Sequence, residues 1–183
     1  MKRLIAVVSL ALLAACSTAK YEVNPDGSRP ILYSATDVLK WPIVEGAHQS
    51  PITHARIYLD PSGHFENDVR VGDGVRIASG AYIEEDVMLF PNASVGEQSR
   101  VGGDAIVQGD VKIGNKVRIR GDSVIGAGSV IEDGAGIGKR ARMGKHVTVG
   151  AGATIGPGSV IGDGVTIASG KSLPPSTRID AVK

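Results

Sequence analysis

The 183-residue chain is poor in several features that often point to a function. Its only cysteine is Cys16, so no disulfide can form within the chain. Aromatic residues make up 4% of the composition, and 20 Lys and Arg nearly balance 19 Asp and Glu, for a formal net charge of +1. Any basic group on such a near-neutral chain is local. We expect no nucleic acid partner, because the N-terminal sequence described next predicts an exported protein.

Long apolar runs are also scarce, and the clearest one, residues 4–13, is too short to cross a bilayer as a helix. It follows two basic residues and predicts a signal peptide over residues 1–15. The run ends in Leu13-Ala14-Ala15-Cys16, which resembles the lipobox of bacterial lipoproteins. This resemblance implies that Cys16 is lipidated and anchors the protein to a membrane. Ser17 favours the outer membrane, on its periplasmic face or at the cell surface.

What the chain does have is a six-residue period, because every sixth position from 71 to 167 is aliphatic or Met. The seventeen members are Val71, Ile77, Ile83, Leu89, Val95, Val101, Val107, Ile113, Ile119, Ile125, Ile131, Ile137, Met143, Val149, Ile155, Ile161 and Ile167. A six-residue step rotates a helix by roughly 240°, which would scatter these side chains around it. Strands alternate with period two, so the same step keeps them on one face. The period therefore predicts short strands.

Two further columns accompany the first. Two residues before each aliphatic, no side chain is larger than Val, which predicts a narrow interior. At the position three residues before each aliphatic, Gly, Asn or Asp predominate, as at Gly74, Asp86, Asn92 and Gly128. These residues tolerate positive φ best, so each hexad is predicted to be a strand and a corner, coiled into a solenoid.

The stretches Ile125-Gly126-Ala127-Gly128-Ser129-Val130 and Ile155-Gly156-Pro157-Gly158-Ser159-Val160 are similar to the hexapeptide repeat of the left-handed parallel β-helix superfamily. That superfamily contains bacterial acyltransferases and γ-class carbonic anhydrases. The resemblance implies an all-β, single-stranded left-handed parallel β-helix over residues 65–170, with about six coils. Residues 16–50 are expected to form a tether, 51–64 an N-terminal cap and 171–183 a C-terminal tail.

The open first coil needs a cover, and the apolar residues before the repeats are the candidates for it. They are Leu32, Tyr33, Val38, Leu39, Trp41, Ile43, Val44, Ile52, Ile57, Tyr58 and Leu59. Residues 34–41 are predicted to form one helical turn that Pro42 ends.

Grouping the hexads by threes places Met88, Phe90, Ile106, Val124 and Val160 on one outer face. A contiguous apolar stripe of this kind marks a partner surface, and we expect self-association through it, as a trimer by the resemblance. The alternative is that Val and Ile on the outside reflect strand propensity alone.

A local basic group comprises Arg118, Arg120, Lys139, Arg140, Arg142 and Lys145. Such a group can bind phosphates or an anionic envelope polysaccharide, and the alternative is a merely solvated face.

Catalytic candidates are few. His146 is the one histidine within the predicted repeats, and by the resemblance it is the candidate general base of an acyltransferase. It also occupies a corner position, where a structural role explains it. Zinc chemistry needs three histidine ligands, whereas His48, His54 and His64 precede the repeats, so we expect no metal and no cofactor. Arg120-Gly121-Asp122 and Asn92 are explained as corner residues.

No loop interrupts the hexads to carry catalytic residues. The leading hypothesis is therefore a non-enzymatic outer-membrane lipoprotein whose β-helix is a binding or assembly scaffold. The alternative is a hexapeptide-repeat acyltransferase that modifies an envelope glycan with His146 as base. The expected export disfavours that alternative, since acyl-CoA donors are cytoplasmic.

Overall fold

The computed structural model describes residues 43–47, 58–60 and 62–181. The signal peptide, Cys16, the helical turn expected at 34–41, most of the tether and most of the expected cover lie outside these residues. Residues 43–47 of the expected tether form a strand instead. Within them the chain consists of strands and turns, without a helix. Accordingly, this part of the chain holds no helix long and apolar enough to cross a membrane.

The strands are β1 (Ile43–Ala47), β2 (Tyr58–Leu59), β3 (His64–Val71), β4 (Arg76–Ile77), β5 (Tyr82–Ile83), β6 (Met88–Leu89), β7 (Ser94–Val95), β8 (Arg100–Val101), β9 (Ile106–Val107), β10 (Lys112–Ile113), β11 (Arg118–Ile119), β12 (Val124–Ile125), β13 (Val130–Ile131), β14 (Gly136–Ile137), β15 (Arg142–Met143), β16 (Thr148–Val149), β17 (Thr154–Ile155), β18 (Val160–Ile161), β19 (Thr166–Ile167), β20 (Ser172–Leu173) and β21 (Arg178–Ile179).

Parallel pairing of strands three apart in sequence builds a solenoid with three faces. Face I contains the end of β3 followed by β6, β9, β12, β15, β18 and β21. Face II contains β2, β4, β7, β10, β13, β16 and β19, and face III contains the start of β3 followed by β5, β8, β11, β14, β17 and β20. The chain passes from face I to II to III and back to I in each coil. This three-sided solenoid is consistent with the left-handed β-helix fold.

The solenoid has about seven coils, where the sequence predicted about six. The ladder extends beyond the expected range at both ends. Tyr58 and Leu59, expected in the cover, pair in parallel with β4, and β20 and β21 continue through the expected tail. The reason is that Leu173 and Ile179 keep the six-residue spacing and pack, partly buried, against the core.

β1 is the exception to parallel pairing. It runs antiparallel to β3, with Ile43 opposite Arg70 and Ala47 opposite His64. Because β3 continues around a corner from face III to face I, β1 pairs with the first coil along parts of both faces. An otherwise open edge of the sheet thereby gains a hydrogen-bonding partner.

The predicted aliphatic column forms the core. All seventeen of its members are at most 4% exposed, and Ile83, Leu89 and Ile125 are fully buried. The small column beside it is buried too, including Ser99, Ser123, Ser129 and Ser159. Their hydroxyls bond to the next coil, as where Ser129 Oγ donates to the Gly144 carbonyl and accepts from the Val147 N–H, both at 3.1 Å. These bonds satisfy polar groups in an otherwise apolar interior.

The corners have the predicted left-handed backbone. Nineteen described residues have φ between 53° and 72°, and eleven of them are not glycine. The six-residue spacing is so strict that it imposes this conformation on Gln98, Lys116 and Arg140, which tolerate it less readily than Asn, Asp or Gly.

Candidate functional site

His146 lies on the corner between faces I and II, with φ 54° and an exposed side chain. Its backbone N–H donates to the Ala127 carbonyl at 2.9 Å, which holds the corner against the previous coil. A Cβ placed on Gly128 would lie 2.6 Å from His146 Nδ1 and 2.7 Å from Cε1, so the Nδ1–Cε1 edge of the ring rests on that glycine. Among the described residues, no side chain hydrogen-bonds or ion-pairs with the imidazole. His146 is therefore a solvent-accessible imidazole seated on a glycine.

Face II carries a shallow groove of about 430 Å³ beside this corner. Its lining includes Lys112, Gly114, Val130, Glu132 and Ala151. Glu132 accepts a hydrogen bond from the Ala151 N–H at 2.8 Å, so one edge of the groove is tied to the backbone. The lining combines an apolar floor of Val130 and Gly114 with the exposed ammonium group of Lys112 and the exposed carboxylates of Glu132 and Asp133.

The corner that carries His146 adjoins the residues that line this groove. Gly128, on which the imidazole rests, stands two residues before Val130 of the groove lining. The corner therefore leads directly onto the face that holds the groove.

The six basic candidates do not form one patch. Arg118 and Arg120 lie on face III, and Arg142 lies on face I. Lys145 is on the corner between faces I and II, and the remaining two, Lys139 and Arg140, are on the corner between faces III and I.

Asp122 partly neutralises this last pair, at 3.3 Å from Lys139 Nζ and 3.9 Å from Arg140 Nε. Arg118 and Arg120 are both exposed and lie on β11 or next to it. Binding of an anionic polysaccharide by these residues stays a prediction.

The apolar candidates do share a surface. Met88, Ile106 and Val124 are successive partners on face I, and Phe90 lies beside them. Val160 belongs to the same column but is separated by Arg142. Val160 is 37% exposed, and the other four apolar side chains are half-buried.

A polar cluster that the sequence did not predict lies on face III. His64, expected in the cap, belongs to β3 and stacks on Tyr82 with ring centroids 4.5 Å apart. The Arg100 guanidinium lies 4.6 Å over the same ring, and its Nε donates to Glu84 at 2.5 Å. The sequence feature that could have predicted this cluster is the 18-residue spacing of His64, Tyr82 and Arg100, which places one of them in each coil.

Two carboxylates complete this cluster. The Tyr82 hydroxyl donates to Glu66, and this bond raises the pKa of Tyr82. For Glu84, burial favours the neutral form, but hydrogen bonds from the Gly103 N–H and Arg100 outweigh it and lower its pKa. Both faces of the Tyr82 ring are covered, so the cluster holds coils together and leaves no aromatic face for a ligand.

The remaining motifs have structural explanations. Asp122 has φ 59°, and Asn92, with φ 60°, donates from Nδ2 to Asp110 at 3.1 Å. A Cβ on Gly121 would lie 2.8 Å from the Gly103 carbonyl oxygen. In the part of the chain that the structure describes, no group of three or more His, Cys, Asp or Glu is arranged to hold a metal ion.

Acidic side chains are stacked on the corner between faces III and I. Asp68, Asp86, Asp104 and Asp122 follow one another there, one per coil. Burial raises the pKa of Asp86, and the charges of Asp104 and Asp68 raise it further. The folded state therefore holds a proton on Asp86 more tightly than the unfolded chain does.

We expect Asp86→Asn to raise Tm at neutral pH, because it removes this repulsion and Asn tolerates φ 58°. A carboxyl whose pKa is raised on folding lowers stability once it is ionised, so wild-type stability rises as pH falls from the raised value to the ordinary one. The advantage of the variant should shrink over that same range. Thermal melts across the acidic range test this, and an advantage unchanged at low pH contradicts it.

The comparisons with known proteins agree with this architecture. The family model described as bacterial transferase hexapeptide (six repeats) matches residues 140–174. No curated protein matches the chain significantly. The acetyltransferase domain of PglB from Neisseria gonorrhoeae is similar with a TM-score of 0.61 and 26% identity, over 66% of this chain and 58% of that one. The same values hold for that domain in complex with acetyl coenzyme A.

A perosamine N-acetyltransferase mutant from Caulobacter crescentus, in complex with CoA and GDP-perosamine, has the same fold. The TM-score is 0.53 and the identity 22%, over 64% of this chain and 52% of that one. The match thus spans between half and three fifths of each of these acetyltransferase chains.

The likeness to the PglB acetyltransferase domain contradicts the leading hypothesis of a non-catalytic scaffold, and with it the leaning against enzymatic activity. That expectation rested on the interpretation that hexads without an inserted loop leave no place for a catalytic site. A solenoid without loops still presents side chains at every corner, as His146 shows. Together, the repeat match and the β-helical architecture support placing the chain in the left-handed β-helix, hexapeptide-repeat superfamily.

Proposed function

We propose that the protein is a hexapeptide-repeat acetyltransferase that transfers an acetyl group from acetyl-CoA to a hydroxyl or amine of an envelope glycan. The observation that carries the proposal is the likeness to the PglB acetyltransferase domain, at 26% identity and a TM-score of 0.61, including its complex with acetyl coenzyme A. His146 is the residue we assign as general base.

We place the donor in the groove on face II. The Lys112 ammonium is exposed and suits a phosphate, while Val130 and Gly114 offer an apolar, nearly bare floor for a methylene chain. The carboxylates of Glu132 and Asp133 line the other side of the groove, so the phosphates would lie on the Lys112 side. When bound, acetyl-CoA supplies a thioester carbonyl that a nucleophile can attack. In this arrangement the donor lies along face II, and the corner at His146 stays open to the acceptor.

His146 handles the proton. Because its Nδ1–Cε1 edge rests on Gly128, Nε2 is the ring nitrogen left to meet the acceptor. There it accepts the proton that the hydroxyl or amine loses during attack, and it can return that proton to the departing sulfur. This relay of one proton keeps full charge from building up on the attacking atom and on the departing sulfur.

The activity is tested with the purified protein, acetyl-CoA and a panel of amino sugars and hydroxylated glycans. Released thiol and acetylated acceptor are measured by colorimetry and mass spectrometry. We expect release above the uncatalysed rate and a saturable rise of Tm with acetyl-CoA. If no acceptor in the panel gives thiol release and acetyl-CoA gives no thermal shift, the proposal is contradicted.

We also propose that Cys16 is lipidated and holds the protein at the outer membrane. The support is the sequence Leu13-Ala14-Ala15-Cys16 after the apolar run. Growth with an alkyne-labelled fatty acid should label the wild type, and Cys16→Ser should abolish the label and the outer-membrane fractionation. A wild type that stays unlabelled and cytosolic contradicts this proposal.

The two proposals are tested separately. Because acetyl-CoA is cytoplasmic, an enzyme anchored at the outer membrane would need a thioester donor delivered to the envelope.

A further inference from the structure

Face III carries two arginines that no acidic side chain neutralises. Arg118 lies on β11 and Arg120 directly follows it, so both project from the same face with Cα atoms about 7 Å apart. Among the described residues neither guanidinium group forms a hydrogen bond or an ion pair. By contrast, Arg100 one coil earlier is held by Glu84, and Asp122 pairs with a lysine and an arginine of the next coil.

The coil after this arginine pair has a bare outer surface. Gly136 is the ladder partner of Arg118 on one side and of Thr154 on the other, and Gly138 follows on the same face. Among the two-residue strands that the structure describes, β14 alone has a glycine as its outward residue.

The fold itself does not require a glycine at position 136. Its φ is not positive, and an added Cβ would meet nothing closer than Thr154 Cγ2 at 3.4 Å. β14 also pairs in register on both sides, so no bulge accounts for it. Glycine weakens the interior of a strand and often marks a place where a ligand approaches the backbone closely. Gly136 therefore indicates a surface that is kept open for a ligand.

The open surface has a cationic edge and a hydroxyl edge. Thr154 and Ser172 follow Gly136 in the same column, both exposed, and Thr154 Oγ1 donates to Ser172 Oγ at 2.8 Å. Two coil spacings, or about 10 Å, separate the strand of Arg118 from that of Thr154. We call the surface formed by Arg118, Arg120, Gly136, Thr154 and Ser172 the face III shelf.

We propose that the face III shelf binds an acidic sugar of a glycan. A guanidinium group pairs with a carboxylate or a phosphate through two parallel hydrogen bonds, so Arg118 and Arg120 hold the acidic group. The sugar ring lies over Gly136, where no side chain covers the backbone. Its hydroxyls face Thr154 and Ser172, which can both donate and accept hydrogen bonds.

The charges around the shelf favour an anion. Lys116 is exposed on the corner that precedes β11 and adds to the positive potential. Asp133, on the same corner one coil later, is held by the Asn115 N–H, which donates to its Oδ1 at 2.8 Å. His146 lies on the corner between faces I and II, so binding at face III does not rest on the proposed acetyl transfer.

Calorimetric titration of the full chain tests the site with three probes. Trigalacturonic acid presents carboxylates, glucose 1-phosphate presents a phosphate, and maltotriose is the neutral control. We expect saturable binding of an acidic probe that weakens with added NaCl, and binding of maltotriose at least about tenfold weaker. The tighter of the two acidic probes identifies the group that the arginines hold.

Variants assign the binding to the shelf. Gly136→Val covers the shelf and should weaken acidic-probe binding at least about tenfold with Tm unchanged or raised, because Val favours strands. The double variant Arg118→Gln with Arg120→Gln should weaken it similarly, since each arginine supplies charged hydrogen bonds. Arg142→Gln removes an exposed arginine from face I and should leave the affinity within about twofold.

Three outcomes overturn the inference. One is a folded wild type that binds neither acidic probe, and another is wild-type affinity in Gly136→Val or in the double arginine variant. The third is a folded Gly136→Val whose mass by light scattering differs from that of the wild type, because the glycine then admits another copy of the chain rather than a sugar. None of these outcomes bears on thiol release from acetyl-CoA, which is measured separately.

Discussion

His146→Asn is expected to lower the rate of acetyl transfer by about 10²- to 10⁴-fold, the usual contribution of a general base. The variant isolates chemistry from folding, since His146 has φ 54° and Asn adopts the left-handed region more readily than any other residue except Gly. Its stability should stay within about 0.5 kcal/mol of the wild type, because the side chain is exposed. Acetyl-CoA should still raise Tm, since the groove on face II is intact.

His64 provides the control for this result. It is the other histidine of the described chain and is likewise exposed, but it stacks on Tyr82 on face III. His64→Asn should therefore leave the transfer rate within about twofold. If His146→Asn retains the wild-type rate while wild-type protein is active, another group is the base, and the assignment of His146 fails without removing the acetyltransferase proposal.

Gly126→Ala is expected to lower the free energy of unfolding by about 3 kcal/mol or more, and Tm by roughly 6–12 °C. A Cβ at Gly126 would overlap the Gly144 carbonyl and lie 2.7 Å from the Lys145 nitrogen. Both are backbone atoms of the next coil, which cannot move without breaking the ladder. Chemical denaturation of wild type and variant measures the difference.

Two other glycines serve as matched controls. A Cβ at Gly136 would meet nothing closer than Thr154 Cγ2 at 3.4 Å, so Gly136→Ala should be neutral or stabilising by up to about 1 kcal/mol. Gly152 has open space but φ 66°, so Gly152→Ala should cost about 1–2 kcal/mol through backbone strain alone. Equal effects at all three positions would show that crowding by the next coil is not the cause.

Much of the fold could be predicted because the core repeats. The six-residue column, the small column and the corners depend on local spacing, and the structure confirms each of them. β1 could not be predicted, because its antiparallel pairing with β3 follows from no period. The last coil was missed for a different reason. Leu173 and Ile179 continue the column, but residues 171–183 were expected to form a tail outside the repeats.

The candidate site was harder to predict than the fold. Position 146 was correctly placed on a corner. That structural explanation weighed against the catalytic role proposed above, although one residue can satisfy both. The basic residues failed to converge because neighbours in sequence lie on different faces once the chain turns at every sixth residue. Side chains 18 residues apart are the true neighbours, as His64 and Tyr82 show.

The two ends of the solenoid differ in a way that orders its unfolding. β1 pairs with the first coil, whereas within the described residues no strand pairs with the outer side of β19, β20 or β21. Leu173 and Ile179 at that end are only partly buried. Because each coil is stabilised chiefly by its neighbours, amide protons should exchange fastest in the last coil and progressively more slowly towards the middle. We therefore expect the solenoid to unfold progressively from its C-terminal end.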